Sequence, residues 1–257
     1  MHKEDISVQL YTTRKFQPYA PILNFIREQG LINLELFGLE SMNIDEFKNI
    51  MDSNNITSHS THVGFEALQD TKNIVERAKE LNIKHVIVPA PPAKKDGDFS
   101  NTFEMNEEEW ISFGKDLSSF VKEFEDEGLT LGYHNHSYEF KSLPSGKLPI
   151  ECVMDQNENL KFEIDLGWVV AGGADPKIWI EKYSNKIIAC HLKDFYNKDH
   201  DMLDHDNQSA IGDGFINWKE LTSSIKETGC DLYILEHDDP KDYKEYMSKS
   251  VKNLESI

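Results

Sequence analysis

The sequence predicts an α/β protein of the (β/α)8 barrel class, folded as a single domain over residues 1–257. Three observations predict this class. About eight short apolar runs alternate with about eight amphipathic segments, which is the pattern of parallel strands joined by helices. The length of 257 residues matches the roughly 250 residues of such a barrel. No Gly/Ser-rich linker or shift in composition divides the chain, so one domain is the simplest interpretation.

The predicted strands are short runs of apolar and β-branched residues, several of them apolar on both faces, as expected for parallel strands covered by helices. They span residues 6–11, 32–37, 56–60, 85–89, 129–134, 160–165, 187–191 and 232–236. Helical spacing of apolar residues occurs in 19–28, 44–51, 71–81, 107–127, 218–228 and 243–254, and one more helix begins at Pro176. Asn106 is a suitable N-cap for the longest helix, and Gly128 follows its end.

An open, doubly wound sheet is the alternative architecture for alternating strands and helices. Such a sheet usually carries a glycine-rich nucleotide loop after its first strand. Here the segment from Leu10 to Arg14 contains no glycine, and the chain has neither a GxGxxG nor a P-loop motif. The barrel is therefore favoured, and it predicts functional groups at the carboxyl ends of its strands.

The charge balance argues against several classes of partner. Acidic residues outnumber basic residues 46 to 27, giving a formal net charge of −19. Because such a surface repels phosphate backbones and anionic lipids, we expect neither a nucleic acid nor a membrane as partner. No apolar run approaches a membrane span, and the N-terminus lacks a signal-peptide pattern. The three separated cysteines form no disulfide or zinc motif, so we expect a reduced, cytoplasmic protein.

Seven of the predicted strands end in ionisable or aromatic side chains. They are Tyr11, Glu35, His59, His134, Asp165, His191 and Glu236. Each is individually more often structural, but seven at equivalent positions are hard to explain as packing, because buried charges are costly unless paired or metal-bound. Carboxylate and imidazole ligands without sulfur indicate one divalent metal ion, with Mn, Co, Mg and Zn all suitable.

Six short motifs, densest between Leu129 and Asp239, carry a resemblance to a known family. They are Gly132-Tyr-His-Asn-His-x-x-Glu-Phe140, Asp165-Leu-Gly-Trp168, Ala171-Gly-Gly-x-Asp-Pro176, His191-Leu-Lys-Asp194, Ile211-Gly-Asp-Gly214 with Trp218, and Leu235-Glu236. With these elements the chain resembles the sugar phosphate isomerase/epimerase family of xylose isomerase-like (AP endonuclease 2) barrels. The resemblance extends over nearly the whole chain.

The resemblance implies a divalent metal ion held by side chains from strands five to eight. Asp165, His191 and Glu236 match the last three ligand positions. For the first position we favour Glu139, since a third carboxylate better balances the metal charge. His134 is the alternative, because it stands at the end of strand five.

The family chemistry implies proton removal beside a carbonyl through a metal-stabilised enediolate, and hence a sugar or keto-sugar isomerase or epimerase. The same site would serve a dehydratase or lyase acting on a 3-keto glycoside or an inosose. An abasic-site endonuclease and a non-catalytic sugar-binding barrel are less favoured. The candidate catalytic residues are Glu236, His134, His136 and Lys193. The candidate substrate-binding residues are Trp168, His59 with His62, Gln9, Tyr11 and Glu35.

The expected partner is a small-molecule carbohydrate. Ketose 3-epimerases carry a histidine where this chain has Trp168, which argues against a free ketohexose. Lys94 and Lys95 are the obvious phosphate-binding residues, but no phosphate-binding glycine motif accompanies them, so we expect an unphosphorylated substrate. The acidic segment 195–216 has two interpretations, a lid or a solvated loop. Barrels of this size often form homo-oligomers.

Overall fold

The computed structural model describes residues 2–93, 99–196 and 205–257. Its strands are β1 (Ile6–Gln9), β2 (Asn33–Phe37), β3 (Thr57–His62), β4 (His85–Val88), β5 (Thr130–His134), β6 (Lys161–Asp165), β7 (Ile187–Leu192), β8 (Asp194–Phe195), β9 (Gln208–Ser209) and β10 (Tyr233–Leu235). Strands β1 to β7 and β10 form a closed barrel, and every pair of neighbours in it is parallel. The predicted fold class is therefore confirmed. Strands β8 and β9 form a separate antiparallel pair.

Helices follow the strands along the chain. They are α1 (Tyr19–Glu28), α2 (Ile44–Asn54), α3 (Thr71–Glu80), α4 (Glu107–Ser119), α5 (Val121–Asp126), α6 (Pro149–Met154), α7 (Leu166–Ala171), α8 (Pro176–Lys182), α9 (Trp218–Lys226) and α10 (Tyr243–Leu254). Asn106 caps α4 in a capping box with Glu109, as predicted. The predicted helix over 107–127 is in fact two helices separated at Phe120. The Ser119 hydroxyl bonds to a carbonyl of the preceding turn, a local alternative to helical pairing.

The apolar core includes outward-facing strand residues and the inner faces of the helices. Val8 and Leu34 in the strands, and Ile26, Ile74 and Met247 in the helices, belong to one buried cluster. Burial of each such side chain contributes about 1.5–3 kcal/mol. Polar residues are also buried in the strands, and they alternate with these apolar ones because successive side chains point to opposite faces. Polar side chains therefore point into the barrel while apolar side chains pack against the helices.

None of the helices in residues 2–93, 99–196 and 205–257 combines the length and the apolar character that crossing a bilayer requires.

Candidate active site

Buried polar side chains meet inside the barrel near the carboxyl ends of its strands. Glu35 on β2 lies 2.7 Å from His191 on β7, between Oε1 and Nε2. Glu163 on β6 lies 2.6 Å from Nε2 of His62 on β3. Neither pair of strands is adjacent in the barrel, so both contacts cross its interior. We call these four residues, all of them buried, the inner layer.

Register irregularities accompany the two carboxylates of the inner layer. The pairing of β2 with β3 shifts between Leu34 and Glu35, and that of β6 with β7 shifts between Phe162 and Glu163. Each shift leaves one unmatched residue in the partner strand. Irregularities of this kind occur next to active sites, where they redirect side chains. In this barrel they coincide with the two buried glutamates.

Closer to the mouth of the barrel, three carboxylates surround the ammonium group of Lys193. Its Nζ atom lies 2.9 Å from Glu236, 3.0 Å from Asp238 and 3.1 Å from Asp165. We call these four residues the outer layer. His191 joins the two layers, because its Nδ1 atom lies 3.0 Å from Glu236 while its Nε2 atom faces the inner layer.

Electrostatic pairing controls the protonation of both layers. Burial opposes a charge on His62, but Glu35 and Glu163 raise its pKa to about 10. Burial likewise opposes a charge on Glu236, but Lys193 and then His191 hold its pKa near 2 despite repulsion from a neighbouring carboxylate. Such strongly perturbed groups in one place are typical of functional sites.

The two layers together contain an excess of negative charge. Their five carboxylates face the ammonium of Lys193 and two imidazoles with raised pKa values, those of His62 and His191. Five negative against three positive charges leaves two negative charges when all of these groups are ionised. Burial raises the pKa of Asp165 to about 6 in spite of the Lys193 charge. A divalent cation would balance this excess.

Two overlapping groups of side chains have donor atoms close enough to share a cation. One group is His134, Asp165, His191 and Glu236, and the other is His62, His134, Glu163 and His191. Within each group the donor atoms lie within 4.8 Å of one another. In the described part of the chain, Glu163 Oε1 is buried and accepts no hydrogen bond, and the buried Asp165 Oδ2 faces only charged neighbours, with the Lys193 ammonium 3.1 Å away. Both the donor chemistry and these oxygens fit a divalent metal ion.

Asp165 is fixed in place by the start of α7. Its Oδ1 atom accepts a hydrogen bond of 2.8 Å from the Trp168 backbone N–H and thereby caps that helix. The side chain of Asn135 brackets the Asp165 backbone with two further bonds of 3.0 and 3.1 Å. The indole of Trp168 lies under Lys193, with Nζ 4.5 Å from the ring. Trp168 therefore packs against the outer layer through its contact with Lys193.

Glu139 lies outside both groups of potential metal ligands. Its Oε1 atom accepts a 2.7 Å bond from the Tyr133 hydroxyl, and its Oε2 atom accepts a 2.9 Å bond from the backbone N–H of His136. Both oxygens are thus engaged in holding the turn after β5. His134, the alternative for the first ligand position, belongs to both groups. The structure does not bring Glu139 together with the other predicted ligands.

The remaining predicted residues surround the two layers. Gln9 donates a 2.9 Å hydrogen bond to Glu35 and so positions its carboxylate. His136 is half-buried and stacks on Tyr138, with 5.4 Å between ring centroids and 5° between planes. Tyr11 is 37% exposed at the rim and packs edge-on against a neighbouring aromatic ring. Gln9 thus holds Glu35 of the inner layer in position, whereas Tyr11 and His136 lie nearer to solvent.

A family model described as xylose isomerase-like TIM barrel matches residues 23–257. The chain belongs to this family. The resemblance stated from the motifs is therefore confirmed. Family membership agrees with the closed barrel and with polar residues placed at the carboxyl ends of its strands.

Relatives of the family give further comparisons. An inosose dehydratase of Clostridium perfringens is 26% identical over 150 residues, which cover 53% of this chain and 50% of the relative. The chain spans about half the length of the curated relatives it matches. A sugar phosphate isomerase/epimerase structure from Parabacteroides distasonis superposes with a TM-score of 0.81 at 22% identity, covering 100% of this chain and 95% of that one. A structure of IolI protein with a bound zinc atom covers 98% and 96%, with a TM-score of 0.76 at 16% identity.

One predicted substrate-binding residue of this xylose isomerase-like barrel, His59, lies away from the site. His59 is the unmatched residue in β3 opposite the shift at Glu35, and three further residues follow it before the strand ends at His62. Lys84 and Asp231, which precede β4 and β10, are the charges that act on His59. His59 therefore lies toward the amino ends of the strands, away from the site. His62 occupies the position expected for it.

Two site residues of the barrel were absent from the predicted set, Glu163 and Asp238. Each lies two residues from a predicted ligand. Glu163 and Asp165 share a face of β6, because residues two apart in a strand point the same way, whereas Asp238 follows Glu236 in the loop after β10. The strand spacing is the signal that could have identified Glu163. Lys94 and Lys95 lie outside the described residues. Of the acidic segment 195–216, for which a lid and a solvated loop were both considered, residues 195–196 and 205–216 are described, and they include β9.

Proposed function

We propose that the protein is a divalent-metal-dependent lyase that acts on a ring ketone of carbohydrate or cyclitol type. The observation that carries the proposal is the meeting of His134, Asp165, His191 and Glu236 inside the barrel, with donor atoms within 4.8 Å. The matched relative named as an inosose dehydratase supports elimination as the outcome. An isomerase or epimerase would use the same site and differ only in where the proton returns.

The four ligands of the proposal include His134 rather than Glu139, because both oxygens of Glu139 are engaged elsewhere. A divalent ion held there would polarise the ring carbonyl and stabilise the negative charge that develops on its oxygen. Lys193 adds a fixed positive charge next to two of these ligands. Preorganised charge of this kind favours a developing anion at no cost of reorganisation.

The proton carrier in this proposal is His136. Its ring is half-buried, stacks on Tyr138 and lies 6.0 Å from the Trp168 ring, at the mouth of the barrel. Glu236 and His134 were the other predicted carriers, but they contact Lys193 and Glu163 respectively. His136 takes the proton from the carbon beside the carbonyl and returns a proton to the leaving hydroxyl. Water departs, and the ring gains a C=C bond.

The test uses the purified protein with Mn²⁺ and an inosose in D2O. NMR follows the C–H signal beside the carbonyl, and an unsaturated product is expected as that signal is lost. Asp165→Asn should lose both metal and turnover, whereas Asp175→Asn should retain both. The two aspartates are matched, since each caps a helix but Asp175 caps α8 outside the site.

Two results would overturn the proposal. Formation of an epimer or isomer without elimination would replace the lyase with the isomerase reaction. Stoichiometric metal in the Asp165→Asn variant, measured by elemental analysis, would remove the assigned ligand set regardless of activity.

A further inference from the structure

Three histidine rings are in mutual contact in the interior of the barrel. The ring centroids of His62 and His134 lie 5.0 Å apart, and that of His191 lies 5.5 Å from the first and 4.5 Å from the second. All three side chains are buried. They come from β3, β5 and β7, which are alternate strands of the barrel. Side chains from alternate strands share a layer inside a barrel of this class, so closure of the sheet brings the three rings together.

The three rings direct their nitrogens at a single carboxylate oxygen. Nε2 of His62 lies 2.6 Å from Oε2 of Glu163. Nδ1 of His134 and Nε2 of His191 both lie 3.1 Å from the same oxygen. Within the described residues, the other oxygen of this carboxylate, Oε1, is buried and accepts no hydrogen bond. Buried polar atoms without a partner are rare and often mark the place of an ion, so the cluster has the capacity to hold a cation.

The spacing of these four donor atoms suits a tetrahedral metal ion. Zn²⁺ binds imidazole nitrogen at about 2.0–2.1 Å, so the donors of a tetrahedral zinc site stand about 3.3 Å apart. The nitrogen–oxygen distances of 2.6, 3.1 and 3.1 Å reach that spacing by shifts of less than about 1 Å. All four donors lie within 4.8 Å of one another. We call this group the three-histidine site, and its members are His62, His134, Glu163 and His191.

The ligand set of the proposed lyase has different chemistry. It contains Asp165 and Glu236 in place of His62 and Glu163, and we call it the outer set. Both of its carboxylates already contact the Lys193 ammonium, at 3.1 and 2.9 Å. In the described part of the chain, the ion-pair partners of Glu163 are all imidazoles. Imidazole donors favour Zn²⁺ and Co²⁺, whereas carboxylate donors suit Mn²⁺ and Mg²⁺, so the two sets prefer different ions.

Shared ligands couple the two positions. His134 and His191 belong to both sets, so an ion in the three-histidine site takes two of the four ligands of the outer set. Two divalent ions held a few ångströms apart inside the barrel would also repel each other strongly, because the buried site screens charge poorly. The two positions are therefore alternatives for one ion.

We propose that the three-histidine site is a second metal site, selective for Zn²⁺ and Co²⁺, and that its occupation excludes Mn²⁺ from the outer set. It takes a ligand from β3 and uses neither Asp165 nor Glu236, which distinguishes it from the ligand set of the lyase. Zinc bound there inhibits a manganese-dependent reaction at the outer set, because it withdraws His134 and His191. Only this inhibition rests on the proposed lyase function.

The test follows the competition between Zn²⁺ and Mn²⁺ by electron paramagnetic resonance, in which free Mn²⁺ gives a sharp spectrum that binding broadens. Zn²⁺ added to the Mn²⁺-loaded protein should release one Mn²⁺ for each Zn²⁺ bound. His62→Gln removes a ligand of the three-histidine site alone. Because loss of a group that merely supports a ligand costs about 10–100-fold in affinity, loss of the ligand should lower the ratio of Zn²⁺ to Mn²⁺ affinity at least about 100-fold.

Matched variants assign the effect to this site. His59→Gln changes a histidine of the same strand that lies away from the site, and it should leave the affinity ratio unchanged. Asp165→Asn should lose Mn²⁺ yet still bind Zn²⁺, since all ligands of the three-histidine site remain. Glu163→Gln should lower the ratio as His62→Gln does, and it carries the test if urea unfolding shows that the histidine variant is not folded.

Two results would overturn the proposal. Zn²⁺ that displaces Mn²⁺ equally well from the parent protein and from folded His62→Gln and Glu163→Gln would place zinc in the outer set. One Mn²⁺ and one Zn²⁺ bound together, measured by elemental analysis, would refute the exclusion. Neither measurement needs a substrate, so a protein without lyase activity towards an inosose would overturn the proposed function alone.

Discussion

Replacing Lys193 by methionine tests how much its ammonium group contributes to the stability of the folded protein by neutralising three buried carboxylates. Methionine is an unbranched side chain that adapts to its surroundings, so the change removes mainly charge. Each Lys193–carboxylate contact of 2.9–3.1 Å has a gross attraction of about 5–6 kcal/mol at an effective dielectric constant of about 20. Desolvation of the four groups offsets much of that sum.

The net loss follows from what the substitution leaves behind. Removing one partner of a buried ion pair costs about 3–5 kcal/mol, because the remaining charges are uncompensated. A loss of that size is a large part of a total stability of about 5–15 kcal/mol. We therefore expect the metal-free Lys193→Met variant to unfold at a clearly lower urea concentration than the parent protein.

The assay is urea unfolding of metal-free protein at pH 7.5, followed by tryptophan fluorescence. Lys182→Met is the matched control, since Lys182 pairs with Glu151 near the surface and such pairs are worth at most about 1 kcal/mol. Adding Glu236→Gln to Lys193→Met should recover part of the loss, because it removes one uncompensated charge. A loss no larger than that of the Lys182→Met control would refute the reasoning about buried charge.

Two further predictions address His191 and the opposite end of the barrel. Glu35→Gln should weaken Mn²⁺ binding about 10–100-fold, because an amide holds the His191 ring less firmly than the carboxylate does; calorimetry showing unchanged affinity would contradict this. Burial lowers the pKa of His85 to about 4, whereas its unfolded value is near 6.5. The unfolded state therefore binds more protons between these values, and stability present above pH 6.5 is lost as the pH falls. By pH 5 this loss is about 2 kcal/mol. His85→Gln should remove that loss, and equal urea midpoint shifts between pH 7.5 and pH 5 in both proteins would count against it.

The fold and much of the site can be predicted from the sequence, because both depend on local patterns of residues. Alternation of apolar runs with amphipathic segments, together with length, predicts the barrel, and the barrel predicts where functional groups must lie. Four site residues up to 71 positions apart in the sequence could thus be predicted as neighbours. They are Asp165, His191, Lys193 and Glu236. Their side chains do converge.

Only the tertiary structure decided which residues share the centre. Glu139 is nearer in sequence to the other ligands than Glu35 is, yet bonds from Tyr133 and His136 hold it aside. Strand β3 continues past His59, the residue left unmatched at the register shift, and ends at His62, whose ring contacts Glu163 in the site. Cross-barrel contacts and strand irregularities arise from closure of the whole sheet. A periodic pattern in one segment carries no information about them, because closure depends on all eight strands at once.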